Sequence, residues 1–275
     1  MLMGTHGGAT EGARKLMDGA WRNGTWAEAA VLPLENLFPL NEDVLCGKLG
    51  YSVHDLAYLS KLAVPCGGLM DSLEVKAGDR VVIAPATGAF SGAAVVLARA
   101  MGADVIMVGR NKEKLEGMQK QILQTSKGDG SVDVVAMNGD AGKDAEAIKA
   151  IGVVDKYLDL SPPAAKGSTH IASCLMALKR TGIACFMGGI NGGVELPYLV
   201  IMFNDLVIKG KFMYSRDATK RLIRLVESGK VTLGEKGGVV TKQVFGLNDW
   251  EGAIDLAEQE TGWGRQVCFG PATGT

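Results

Sequence analysis

The chain has 275 residues, 47% of them apolar, with 29 basic and 30 acidic side chains and a net charge of −1. That length allows one large domain or two ordinary ones, and that apolar share supplies a sizeable core. The balanced charge excludes a surface-wide positive field for nucleic acid or anionic lipid. The five cysteines are widely spaced with no C-x-x-C pair, so neither a disulfide framework nor a zinc knuckle is signalled. A reducing compartment follows, and the cytoplasm is the expected location.

Residues 1–24 lack the charged-then-apolar layout of a signal peptide and read as a glycine-rich loop. Residues 25–32 (TWAEAAVL) predict a strand, and 37–40 a second short one. Two such strands cannot enclose a core without partners. From 51 to 73 the pattern is helical, with Leu56, Leu59 and Ala63 at helical spacing. Pro65-Cys66-Gly67-Gly68 predicts a break, with a short helix after it.

Residues 80–112 (RVVIAPATGAFSGAAVVLARAMGADVIMVGRNK) organise everything else. Val81-Val82-Ile83 begins a strand, a small-residue turn follows, 90–101 is helical, Gly102 closes the helix, and 105–108 is a second strand. This is the first half of a dinucleotide-binding βαβ unit. Residues 81–98 carry no charge over 18 positions, the least that could span a membrane. Pro85, Thr87, Gly88, Ser91 and Gly92 interrupt that run, and a buried strand followed by a buried helix explains it without a membrane.

The turn carries the chemistry. A helix N-terminus offers unpaired N–H groups and a positive dipole end, which suits a pyrophosphate only where the backbone can approach closely. Small residues around Gly88 permit that approach, so Thr87, Gly88, Ala89 and Phe90 are the expected phosphate contacts. The match to G-x-G-x-x-G is imperfect: Pro85 stands near the first glycine and Ser91-Gly92 straddle the last. A plain buried turn competes with the phosphate reading.

Further strands are expected at 132–136, 154–160, 182–187 and 206–213. Helices are expected at 112–123, 143–151, 169–180 and 218–228. Six strands alternating with helices specify an α/β fold, a doubly wound parallel sheet of the Rossmann type. The tail changes character, with strands at 239–245 and 266–269 flanking a helix at 247–259.

The run of segments GTWAEAAVLPLENLFPLNEDV, VKAGDRVVIAPATGAFSGAAVVLARAMGADVIMVGRN, DLSPPAAKGSTH, FMGGI and LVIKGKFMY resembles the medium-chain dehydrogenase/reductase superfamily, over essentially the whole chain. The likeness is to zinc-independent alcohol dehydrogenase-like and quinone reductase-like members of fungal type. It implies hydride transfer with a nicotinamide cofactor, between a GroES-like β-barrel domain and a Rossmann domain. On that scheme 1–52 is a remnant of the barrel domain, 53–234 the NADP-binding domain, and 235–275 a return to the first. Only about two dozen residues precede GTWAEAAVLPLEN, so a piece on the order of 100 residues is absent relative to the family. The G-H-E metal motif is absent, and the later cysteine ligand of zinc members falls near Ser60, with Cys66 out of place. His6, His54 and His170 do not cluster in sequence. No zinc is therefore expected, since three protein ligands are normally needed.

The resemblance assigns Gly188 and Gly189, after the fifth strand, to the nicotinamide carboxamide, although a plain strand-ending turn would use the same residues. Ser161-Pro162-Pro163 ends the fourth strand at the edge where ligands bind, or simply caps it. Asn138 and Asp140 lie near the expected adenine, or are ordinary surface residues. Cys66 has no charge beside it in sequence to activate a thiol. Tyr51 and Ser60 are weak candidates for a catalytic acid. At the end of the second strand, Gly109-Arg110-Asn111-Lys112-Glu113-Lys114 replaces the acidic residue of NAD sites. Arg110 and Lys114, with Asn111 between them, suit a 2′-phosphate, so the expected cofactor is NADP.

Two functions remain open on sequence. One is an NADPH-dependent oxidoreductase acting on a carbonyl, alcohol or activated alkene. The other is a catalytically inactive, truncated cofactor-binding protein. A small-molecule substrate and a homodimer through 206–213 are the expected partners, with neither nucleic acid nor membrane.

Overall fold

The computed structural model describes residues 10–19, 21–27 and 29–270. Six parallel strands form the central sheet: β1 (Arg80–Ala84), β2 (Asp104–Gly109), β3 (Val132–Ala136), β4 (Val154–Asp159), β5 (Leu178–Phe186) and β6 (Val207–Gly210). Their order is β3-β2-β1-β4-β5-β6. The chain starts in the middle, works outward to one edge, then crosses to the other side of β1. That reversal opens a crevice at the carboxyl ends of β1 and β4.

Alternation along the strands divides the core in two. Val81, Ile83, Val105, Met107 and Leu158 face one cluster, while Val82, Ala84, Ile106, Val108 and Tyr157 face the other. The helices of residues 59–66, 89–100, 112–125 and 216–227 pack against the first. Complete burial of a side chain such as Ile83 contributes about 1.5–3 kcal/mol. The uncharged run 81–98 is strand β1 and the buried helix after it, and no described helix is long and apolar enough to cross a membrane.

In chain order the α-helices are α1 (Glu11–Asp18), α2 (Val53–Ala57), α3 (Leu59–Cys66), α4 (Ala89–Ala100), α5 (Lys112–Thr125), α6 (Ala141–Ile151), α7 (His170–Ala177), α8 (Tyr198–Phe203), α9 (Arg216–Glu227) and α10 (Trp250–Gln259). Their starts follow local chemistry: Asn111 Oδ1 accepts from Lys114 N at 2.8 Å, Asp140 from Gly142 and Lys143, and Ser215 Oγ from Ala218 N at 3.1 Å. Gly102 takes φ +86 after α4, as a helix-ending glycine does. A separate parallel pair, β7 (Val240–Phe245) and β8 (Arg265–Phe269), is joined through α10.

Several expectations are corrected. The described residues of 25–32 and 37–40 form turns, bends and extended chain rather than strands, with a single 3₁₀ turn at Leu34–Asn36 between them. Pro33 and Pro39 lack ladder donors, and no described strand pairs with either segment, although Trp26 packs on Phe269 of β8. Within 1–24, the expected loop contains α1, started by Thr10, whose Oγ1 accepts from Ala13 N at 3.2 Å. Pro65 does not break the helix: it lies inside α3, and the π-helical segment Gly67–Ser72 continues it. Gly67 and Gly68 serve close packing instead. A Cβ on Gly68 would stand 2.6 Å from Met187 Sδ, and one on Gly67 would overlap the Met213 carbonyl. The helix expected at 169–180 ends at Ala177, because Leu178 already pairs with Val154 before a bulge. The expected strand 206–213 is only Val207–Gly210. All five cysteines are free, as expected, and burial pushes the Cys66 thiol up to about 12.

Candidate functional site

A cleft of about 1360 Å³ runs along the carboxyl ends of the sheet strands. It exceeds the roughly 300–1,000 Å³ typical of a pocket for a drug-sized ligand. Its walls are Pro85 and Thr87 after β1, Gly109 and Arg110 at the end of β2, Met137 after β3, Leu160 to Pro162 after β4, Met187 to Gly189 after β5, and Lys211 to Tyr214 after β6. These walls are strand ends, the place where open α/β sheets take their ligands, and residues of α3, α4, α5 and the C-terminal segment also line the cleft.

All ten residues expected to touch a cofactor line this one cleft: Thr87, Gly88, Ala89, Phe90, Arg110, Asn111, Lys114, Ser161, Gly188 and Gly189. Gly88 is the N-cap of α4, and no side chain caps that end. Its φ of −75° and ψ of 164° suit any residue, so glycine is not needed there for backbone freedom. A Cβ at Gly88 would meet only Ser91 Oγ, at 3.6 Å. The protein itself leaves open space where the first-turn N–H groups emerge, a cradle that a small anion fits. Asn111 Oδ1 is committed to capping α5, which leaves its NH₂ group for any ligand.

The electrostatics are one-sided. Lys61, Arg110, Lys114, Lys211 and Arg265 line the cleft, and no Asp or Glu among the described residues does. In a chain of net charge −1 this is a local concentration of positive charge. Lys211 is tied to Asp71 at 3.0 Å and Arg265 to Glu260 at 2.8 Å, with both carboxylates outside the lining. Lys61 Nζ stands 5.0 Å from the centre of the Phe90 ring. Charge of this sign suits phosphate-bearing ligands.

Beneath the β4 end lies a buried polar cluster. Asp159, Ser161 and His170 are each buried, and Ser161 and His170 also border the cleft. Ser161 Oγ donates to Asp159 Oδ1 and lies 2.6 Å from His170 Nε2. His170 Nδ1 lies 2.9 Å from Ser168 Oγ. Tyr157 OH reaches Asp159 Oδ1 at 3.3 Å, and burial pushes the Tyr157 hydroxyl well above its ordinary range.

Other candidates fall away. Asn138 and Asp140 serve the start of α6 and do not line the cleft. Ser60 lines it, with its Oγ donating to Ala57 O at 2.8 Å. Tyr51 and His54 border a smaller polar pocket with Glu235 and Lys236. His6 lies outside the described residues. Among the described residues no group of three or more His, Cys, Asp or Glu is placed to hold a metal ion.

Sequence reasoning missed Lys61, the β6-end residues 211–214, and Gln259, Thr261, Gly262, Trp263 and Arg265 from the C-terminal segment. These reach the cleft only through tertiary packing. Asp159 and His170 carried a readable signal. An Asp closing a buried strand needs donors, and a His shortly after it is the nearest supply.

The fold is a Rossmann-like α/β fold, a six-stranded parallel sheet flanked by helices. The profile of the zinc-binding dehydrogenases matches residues 91–228, and the chain belongs to that family, within the medium-chain dehydrogenase/reductases. No curated protein sequence matches the chain. Among solved structures, an NAD-dependent alcohol dehydrogenase is similar with a TM-score of 0.66 and 23% identity, over 88% of this chain and 64% of its own. AibC is similar with a TM-score of 0.70 and 20% identity, over 90% and 63%. The cobalt- and zinc-bound thermostable alcohol dehydrogenase from Pyrobaculum aerophilum gives 0.63 and 20%, over 90% and 64%. The chain therefore spans less than two thirds of the length of each of these three structures.

Proposed function

We propose that the cleft holds NADP(H) and that the protein is an oxidoreductase acting on a small-molecule carbonyl, alcohol or activated alkene without zinc. The observation that carries this reading is the charge on the cleft wall: among the described residues, five cations and no carboxylate, around a helix N-terminus with no side-chain cap. When bound, the cofactor would supply or accept the hydride. The chain's own residues would bind and orient it. The first turn of α4, from Gly88 to Phe90, with Thr87, would hold the pyrophosphate. Arg110 and Lys114, with the Asn111 amide, would hold a 2′-phosphate at the end of β2. Ser161, Gly188 and Gly189 would form the bed for the nicotinamide end. The NAD-dependent alcohol dehydrogenase shares the fold, but the strand-end position here has Gly109-Arg110 rather than a carboxylate.

The domain reading is part of the same proposal: 53–234 as the cofactor-binding unit, with 1–52 and 235–275 belonging to a substrate-side unit. A cytoplasmic protein that pairs as a homodimer through β6 completes it. The test is an NADPH fluorescence titration beside turnover assays over ketones, quinones and enones. Saturable binding with turnover of at least one class is expected. Binding without turnover would leave a cofactor-binding protein, and no binding would remove the reading altogether.

A further inference from the structure

The buried cluster at the end of β4 has a direction. Ser161 Oγ gives its hydrogen to Asp159 Oδ1, so its contact with His170 Nε2 at 2.6 Å needs the ring N–H as donor. Nε2–H also faces Asp159 Oδ1 at 3.3 Å. Nδ1 is then the acceptor for the Ser168 hydroxyl at 2.9 Å. Every donor in the chain Ser168, His170, Ser161 points inward to one carboxylate. This is not a hydrolytic triad. The carboxylate and the serine share one ring nitrogen, and that nitrogen has no lone pair left to take the serine proton.

The same carboxylate shapes the neighbouring turn. A Cβ on Gly188 would stand 2.5 Å from Asp159 Oδ2, 2.8 Å from Ser161 N and 2.9 Å from Ser161 O. Met187 N donates to Asp159 O at 2.9 Å, and Gly189 N to Ser161 O at 2.7 Å. The chains leaving β4 and β5 are therefore fastened together at the cleft floor, with Asp159 and Ser161 on one side and Gly188-Gly189 on the other.

We propose that Asp159 and His170 are positioning residues that clamp Ser161, and through it the Gly188-Gly189 turn, into the shape that receives the nicotinamide end of the cofactor. This rests on the reading of the cleft as a dinucleotide site. Neither residue needs to touch the ligand. Their effect passes through the Ser161 hydroxyl and backbone.

The test compares the protein with its His170→Phe, His170→Gln and Ser161→Ala variants. Hydrogen exchange over 187–192 is measured without cofactor, and NADPH affinity by fluorescence. His170→Phe keeps the volume and removes the donor, so exchange over 187–192 should rise and NADPH affinity fall, each by about tenfold or more. His170→Gln returns an N–H donor and should restore both. Should His170→Phe fail to fold, Ser161→Ala removes the shared hydroxyl with the smallest change in volume and should loosen the same turn. Unchanged exchange in the folded variants, or no rescue by His170→Gln, would overturn the clamp. Faster exchange in a protein that binds neither NADPH nor NADH would support the clamp and overturn the dinucleotide reading.

Discussion

Gly92, in the first half of α4, faces the Trp263 side chain so closely that a Cβ on Gly92 would overlap the indole. Through this contact the C-terminal segment 259–265 is wedged against the helix that presents the phosphate cradle, and the segment becomes a wall of the cleft. Glycine inside a helix costs up to about 1 kcal/mol against alanine. Here close approach outweighs propensity.

Gly92→Ala should therefore destabilise the protein despite its better helix propensity, by about 1–3 kcal/mol from overpacking. Urea unfolding checks this. A variant as stable as the parent would show that Trp263 does not sit where the structure puts it.

Gly88→Val should behave in the opposite way. Its backbone angles suit any residue, and the space around it is open, so folding should lose only about 1 kcal/mol through the poorer N-cap. The added methyl groups would stand in the cradle and weaken NADPH binding by about tenfold or more. Parallel unfolding and titration curves would reveal a mistaken site if affinity is unchanged.

Asp71 should matter more at neutral pH than in acid. Burial acts to raise its pKa, but hydrogen bonds from Ser215 Oγ at 2.7 Å, Lys211 Nζ at 3.0 Å and Ser215 N at 2.9 Å together lower it. A depressed carboxyl contributes stability that is present above its unfolded pKa of about 3.9 and is lost as pH falls through the folded value. Asp71→Asn should thus lower the urea midpoint at pH 7, and the gap from the parent should narrow toward about pH 3. A gap independent of pH would contradict the assignment.

Among the described residues, β6 closes one side of the sheet and has β5 as its one strand neighbour. Beside it, Tyr198, Leu199 and Phe203 of α8 and Val207 of β6 itself are exposed. An apolar flank along an open strand edge favours pairing with a second copy. A dimer is expected by light scattering at tens of micromolar, and Phe203→Glu with Val207→Lys should shift it to monomer. A parent protein that scatters as a monomer would remove the dimer from the account.

The Rossmann core was legible in the sequence because its signals are local. Val81 to Ile83, the small turn at Gly88, Gly102 and the 105–108 run each act over a few residues. The helix through Pro65 was not legible. Proline and two glycines predict a break, but here Gly67 and Gly68 are fixed by Met213 and Met187, distant in sequence. Residues 25–32 have strand-like composition and no described strand to pair with. In the cleft, strand-end residues such as Arg110 and Gly188 follow from topology alone. Lys61, Trp263 and Arg265 arrive from other elements, and no spacing rule connects them to β1. Asp159 with His170 lay between these cases, close in sequence but meaningful only once both are buried.

The central claim is that this cleft selects a 2′-phosphate. Arg110 and Lys114 line it, no described carboxylate does, and Gly109 stands where a ribose-binding acid would be. A charge-assisted contact contributes about 1.5–3 kcal/mol. Fluorescence titration of the parent at matched salt should therefore show NADPH binding about 10- to 100-fold tighter than NADH. Arg110→Ala should lose most of that preference and keep its NADH affinity. Equal affinities for NADPH and NADH in the parent protein would contradict the account.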